Sequence, residues 1–180
     1  NMQICAPRTA EDLEAMMRLA ATLEGPVAIR YPRGRTGDVQ RTDVRSTEVE
    51  YGKGVKLKDG EDIAVLTIGS IGNPMAEAIE EVTKGQSTKY QGGIAHYDMR
   101  WLKPLDEDIL HEVGQRYKTI VTAEDGMVAG GLGSAVLEWM ADHGYTPRVV
   151  RLGVKDQFVE HGSTKELYHL LKLDKEGLCE

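Results

Sequence analysis

At 180 residues, 41% hydrophobic and 28% charged with a net charge of −7, the chain has the size of one domain or slightly more and enough apolar material for a core. These fractions exclude a disordered or fibrous polymer, and no run reaches the roughly 18 apolar residues of a membrane helix. The acidic balance argues against a general nucleic-acid binder, which needs a basic stripe against phosphates.

Residues 1–10 lack the basic start and apolar stretch of a signal peptide, and Asn1-Met2 reads as an added junction. Cys5 and Cys179, near opposite ends, form neither a metal pair nor a disulfide framework, which makes a reducing cytoplasm the expected compartment. Residues 2–6 are a short apolar run. Thr9 then offers an N-cap with Asp12 three residues on, and Leu13, Met16, Met17, Ala20 and Leu23 recur on one helical face. Gly25-Pro26 stops that helix, and residues 27–31 form a strand ended by Pro32. Strand–helix–strand in about 30 residues is the length of a parallel crossover unit.

Residues 33–60 are polar and charged, with little periodicity beyond residues 49–57, and read as a linker followed by a strand or hairpin. Alternation then resumes. Ile63–Ile68 is nearly all apolar, the mark of a strand buried on both faces. Asn73-Pro74 predicts a helix start, with Met75, Ile79 and Val82 facing inward. A strand at 92–99 follows, then a helix capped by Asp106 and carrying Ile109, Leu110 and Val113. Next come a strand at 119–123, a helix at 130–143 with Leu132, Val136, Trp139 and Met140, and a strand at 148–152. Ser163 caps a last helix with Leu167, Leu170 and Leu171. The expected fold class is therefore α/β: a doubly wound, mostly parallel sheet preceded by a partial βαβ unit.

Ligands of open α/β sheets bind beyond the carboxyl ends of strands, and four such ends are visible. Gly69-Ser70-Ile71-Gly72 is not a nucleophile elbow, because Ile68 stands where the first glycine is required. Arg100-Trp101-Leu102-Lys103 offers cations to an anion, although a stiff loop before the Asp106 cap explains it better. The run from Gly126 to Ser134 resembles a phosphate cradle at a helix N-terminus. It lacks the third glycine of the dinucleotide fingerprint and a Walker lysine, and Glu124-Asp125 opposes phosphate, so close packing of loop on sheet is the better account. The fourth end, Arg30-Tyr31-Pro32-Arg33-Gly34-Arg35, puts three guanidiniums together in an otherwise acidic chain. Their planar forks suit bidentate phosphate binding, which makes Arg30, Arg33 and Arg35 the candidate anion-binding residues; a solvated basic turn is the competing account. The histidines (His96, His111, His143, His161, His169) show no metal-ligand spacing.

Several segments in order carry a resemblance. They are Gly25-Pro26 with Arg30-Tyr31-Pro32-Arg33-Gly34, Tyr51-Gly52-Lys53-Gly54, the strand before Gly69, and Lys103-Pro104-Leu105-Asp106. Thr122-Ala123-Glu124-Asp125-Gly126 with Gly130-Gly131-Leu132-Gly133-Ser134 comes next, then Leu152-Gly153 with Asp156-Gln157-Phe158-Val159-Glu160-His161-Gly162. Together they resemble the C-terminal part of the 1-deoxy-D-xylulose-5-phosphate synthase family, transketolase-like thiamine diphosphate enzymes. Transketolase proper and the β subunits of 2-oxoacid dehydrogenases are similar in parts.

The resemblance implies a homodimeric parent of three α/β domains that uses thiamine diphosphate and Mg²⁺ to join a two-carbon unit from pyruvate to glyceraldehyde 3-phosphate. It implies that residues 1–40 end the pyrimidine-binding domain, 41–60 are linker and entry strand, and 61–180 are the C-terminal domain. It further implies that Arg33 holds the acceptor's phosphate. Val154-Lys155 stands where the family often has a proline. The G-D-G…N metal and diphosphate motif, the glutamate that activates the cofactor and the family's active-site histidines are not in the sequence. The expectation is a fragment without catalytic residues of its own, inactive alone, with no cofactor bound. Two competing expectations are a nucleotide- or anion-binding module built on Gly126–Ser134, and an interaction domain that self-associates through the exposed sheet edges of residues 1–40.

Overall fold

A strand that is apolar on both faces needs cover on both sides, and this chain supplies it with two layers of helices. The computed structural model describes residues 1–32, 48–84 and 90–180. In chain order the elements are β1 (Gln3–Cys5), α1 (Ala10–Ala20), β2 (Val27–Ile29), β3 (Val55–Lys58), β4 (Ile63–Ile68), a 3-10 turn (Gly69–Ile71) and α2 (Gly72–Lys84). Then follow β5 (Ile94–Asp98), β6 (Trp101–Lys103), α3 (Glu107–Arg116), β7 (Thr119–Met127), α4 (Leu132–Asp142), β8 (Arg148–Val154), α5 (Thr164–Leu170) and α6 (Lys175–Leu178). No helix among the described residues is long and apolar enough to cross a membrane.

The main sheet has the order β3-β5-β4-β7-β8, parallel except for β3, which runs antiparallel to β5. The doubly wound α/β expectation holds. Leu66 and Ile120 pack with Leu110 and Val113 of α3 and Leu132 and Val136 of α4 on one face. Val65, Val121 and Ala123 pack with Met75 and Ile79 of α2 and with Leu173 on the other. Alternation along β4 and β7 thus divides their apolar residues between two cores.

A second, small sheet has the order β2-β1-β6. β1 and β2 are parallel and α1 links them, as expected. β6 pairs antiparallel to β1, with Cys5 opposite Trp101. The first unit is therefore stitched to the second, and one of the β1 edges expected to lie bare is covered. Under α1, Cys5, Met16 and Trp101 form a third core with Leu19, Leu23, Val27 and Ile29 around them.

Three predicted caps are present. Thr9 and Asp12 make a reciprocal capping box on α1, and Ser163 and Glu166 do the same on α5. Asp106 accepts from the amides of Asp108 and Ile109 at the start of α3, and from Gly54 N at 2.8 Å. Asp106→Ala removes the cap and orphans Gly54 N together. The expected cost is about 2–3 kcal/mol in urea unfolding.

Other expectations are corrected. Asn73 does not cap α2. The helix starts at Gly72, directly off the 3-10 turn, and the Asn73 side chain instead reaches Arg8, accepting from its Nη1 and donating to its carbonyl. Met17 and Leu170, placed on inward faces, are 59% and 69% exposed. α5 is not the last helix, since Asp174 caps the short α6 after it. β7 runs to Met127, past the predicted end at Ala123, because its pairing with β8 resumes after a shift of register, with Met127 opposite Val154.

Candidate functional site

The chain leaves β4 for β5 on one side, then returns to β7 on the other. The order reverses between β4 and β7, and their carboxyl ends frame the crevice where open α/β sheets bind ligands. That spot holds a small open crevice lined by Ala6, Arg30, Tyr31, Pro32, Gly69, Ser70 and Asp125. Gly69 turns the chain off β4 at φ +76°, which a side chain disfavours, and a Cβ there would lie 3.2 Å from the Ala6 methyl.

Arg30 is positioned by its own backbone, whose N–H donates to the Cys5 carbonyl at 2.9 Å as β2 ends. Its Nη2 lies 4.0 Å from Asp125 Oδ1, and its side chain is half exposed. So long and exposed a pair commits the guanidinium only weakly. Asp125 is held more firmly from the other side, where the Tyr168 hydroxyl donates to its Oδ2 at 2.8 Å. Burial, then the bond to Asp125, pushes the Tyr168 phenol up to about 12, so it remains a donor at physiological pH. The crevice thus combines a cation, a carboxylate and the Ser70 hydroxyl, with the Tyr168 hydroxyl holding Asp125 from behind. It suits a polar ligand, and Asp125 counts against a bare anion there.

Of the predicted anion-binding residues, Arg30 lines this crevice, while Arg33 and Arg35 lie outside the described residues. Arg100, read as a strand-end cation, is 4% exposed and bonded through Nη2 to Asp12 Oδ1 at 2.9 Å. It is a buried tie between the two units, and the stiff-loop account is corrected as well, since β6 begins at the next residue.

The glycine-rich turn packs closely, as expected, but around a carboxylate. Glu124 of β7, 5% exposed, accepts from Leu132 N at 2.9 Å and Gly133 N at 3.0 Å. The amides of the α4 N-terminus that a phosphate would use are filled by the chain's own carboxylate. A Cβ on Gly131 would stand 1.9 Å from Glu124 Oε2, so the glycine makes room for the carboxylate. The competing account of the turn as an anion module is thereby ruled out, and the close packing expected of its glycines is present. In the sequence Glu124 reads as a neighbour that repels phosphate; the signal it left was a strand acid eight residues ahead of a helix start that has no capping side chain of its own.

Thiamine diphosphate and its metal, which the sequence resemblance implies, do not fit the described residues. The α4 N-terminus is occupied by Glu124, and the crevice presents Asp125. His169, Asp174 and Glu176 do come together at the surface, contrary to the lack of metal spacing in the sequence. However, His169 Nδ1 and Asp174 Oδ2 already bond each other at 2.8 Å, and Asp174 caps α6.

With that geometry in place, similarity to known proteins adds the family. A relative named 1-deoxy-D-xylulose-5-phosphate synthase from Bacteroides fragilis is 50% identical over 179 residues, 99% of this chain and 27% of the relative. One of the same name from Caldanaerobacter subterraneus is 37% identical over 182 residues, 100% of this chain and 28% of the relative. The chain therefore spans about a quarter of the length of these curated relatives. A solved structure titled "Split gene transketolase, inactive beta4 tetramer" superposes with a TM-score of 0.86 at 32% identity, over 99% of this chain and 56% of that one. Transketolase from Campylobacter jejuni shares the fold, with a TM-score of 0.60 at 14% identity over 99% of this chain and 25% of that one. Residues 52–178 match the family model described as "Transketolase, C-terminal domain", and that stretch contains the whole five-stranded sheet and its helices; the chain belongs to the transketolase C-terminal domain family.

Proposed function

We propose that this chain is the C-terminal portion of a 1-deoxy-D-xylulose-5-phosphate synthase. The parent enzyme condenses pyruvate with glyceraldehyde 3-phosphate, with loss of CO₂, for the synthesis of isoprenoid precursors. The observation that carries this reading is 50% identity, sustained over 99% of the chain, to a relative of that name. In the parent, residues 1–40 end the pyrimidine-binding domain, 41–60 link, and 61–180 form the C-terminal domain. Thiamine diphosphate and Mg²⁺ supply the carbanion chemistry and are held by parts of a homodimeric parent outside this chain. The free thiols of Cys5 and Cys179 accord with a reducing cytoplasm.

Within this reading, Arg33 binds the acceptor's phosphate, with Arg30 and Arg35 as further cations. Support comes from the position of the strand that leads to Arg33: β2 ends at the switch-point crevice, with Arg30 already there. The isolated 180-residue chain, given pyruvate, glyceraldehyde 3-phosphate, cofactor and Mg²⁺, forms no product; turnover would overturn the assignment of a partial catalytic unit. In the full-length enzyme, Arg33→Ala raises KM for glyceraldehyde 3-phosphate about ten- to a hundredfold, the worth of one charged hydrogen bond. An unchanged KM would remove Arg33 from the phosphate site.

A further inference from the structure

Where the first unit meets the main sheet, four charged side chains are buried together. Arg8 precedes α1, and Asp12 lies in its first turn. Asp98 ends β5, and Arg100 follows two residues later with φ +55°. Arg100 Nη2 donates to Asp12 Oδ1 at 2.9 Å, and its backbone N–H donates to Asp98 Oδ1 at 3.1 Å. Asp98 Oδ2 faces Arg8 Nε at 3.7 Å, too far for a hydrogen bond, and both atoms are buried with no hydrogen-bond partner.

One carboxylate oxygen of Asp98 is thus left without a hydrogen bond inside the cluster, and the groups that face it come from several elements. α1 contributes Asp12, the segment before it Arg8, and the turn after β5 Arg100. At its register in the sheet stand Val55 of β3 and Thr67 of β4, neither of which titrates as an acid or base near neutrality. His96, two residues earlier on β5, is bonded through Nε2 to Thr67 Oγ1 at 2.9 Å. Burial, aided by Arg8 and Lys58, holds its imidazole down to about 3, so it stays neutral above that pH.

We propose that the two units are joined by a proton-sensitive clasp whose titrating member is Asp98. Full burial, with the Asp12 carboxylate adding to it, raises the Asp98 carboxyl to about 7 against the opposing pull of Arg100 and Arg8. When the seam opens, Asp98 returns to the ordinary carboxylate range near 4. A folded value above the unfolded one means that this group's contribution to the seam is complete below about pH 4 and is lost as pH rises to about 7. Above 7 both states are ionised and the contribution stays flat.

The test is amide hydrogen exchange on the full 180-residue chain between pH 4.5 and 8.5, expressed as protection factors so that the intrinsic pH dependence cancels. Protection at Ile4, Cys5 and Trp101 falls with rising pH, by up to about tenfold per unit, and levels off near 7. Asp98→Asn, a neutral isostere of the protonated form, flattens that profile. Arg8→Gln removes a nearby positive charge and moves the levelling point to higher pH, which keeps the proposal testable should Asp98→Asn fail to fold. A wild-type profile that is flat, or a levelling point unmoved in Arg8→Gln, or a profile unchanged in a folded Asp98→Asn, would each overturn it.

Discussion

Glu124→Ala destabilises the folded chain by about 3–5 kcal/mol, read as a lower urea midpoint at unchanged slope. Two buried hydrogen bonds to a charged acceptor are lost at once, each worth roughly 1.5–3 kcal/mol. The amides of Leu132 and Gly133 are then left in a site that the rest of the chain closes. A partial repair separates this cause from simple loss of packing. Glu124→Gln keeps the size and one acceptor oxygen but turns an NH₂ toward the second amide, so its cost falls between wild type and alanine. Gly131→Ala approaches the same site from the other side, since its methyl would enter the space of Oε2. A loss below about 1 kcal/mol in Glu124→Ala would show that water satisfies the α4 N-terminus and that the carboxylate is incidental.

The same residue marks where sequence reading ran out. Glycine-rich turn, helix start and nearby acid were all legible, but the direction of the acid was not. A side chain on a strand points to one face or the other, and only the assembled sheet puts Glu124 beneath its own helix. Elements written in local terms were readable: the Thr9–Asp12 and Ser163–Glu166 boxes, the Asp106 cap, and Ile63–Ile68 with its apolar residues on both faces. β6 was not, because three residues carry no period and its pairing partner β1 is almost a hundred positions away. Asn73 misled for a related reason. Its cap-like position yielded to a long-range pair with Arg8, which no local rule contains. The arginines divide along the same line. Charge alone could not distinguish Arg100, committed inside the seam, from Arg30, half exposed at the crevice.

Trp101→Ala tests how the seam is fastened apart from its charges, and the expected loss is again about 3–5 kcal/mol. The indole is fully buried against Cys5 and Met16, its Nε1 donates to the Glu50 carbonyl at 3.0 Å, and Tyr51 stands edge-on at 5.2 Å between ring centroids. Trp101→Phe keeps most of the apolar contact and leaves the Glu50 carbonyl to find water, so its cost is nearer 1–2 kcal/mol. Burial of apolar surface does not titrate, whereas the Asp98 clasp does. The loss from Trp101→Ala therefore stays constant between pH 5 and pH 8, while the Asp98→Asn difference changes over that range. Trp101→Ala also exposes β1 and α1 to exchange and proteolysis before the five-stranded sheet unfolds, because Leu66, Ile120 and Val136 belong to a core that does not contain Trp101. A single concerted transition in Trp101→Ala, with β1 and β4 losing protection together, would mean that the first unit and the main sheet unfold as one body despite their separate cores.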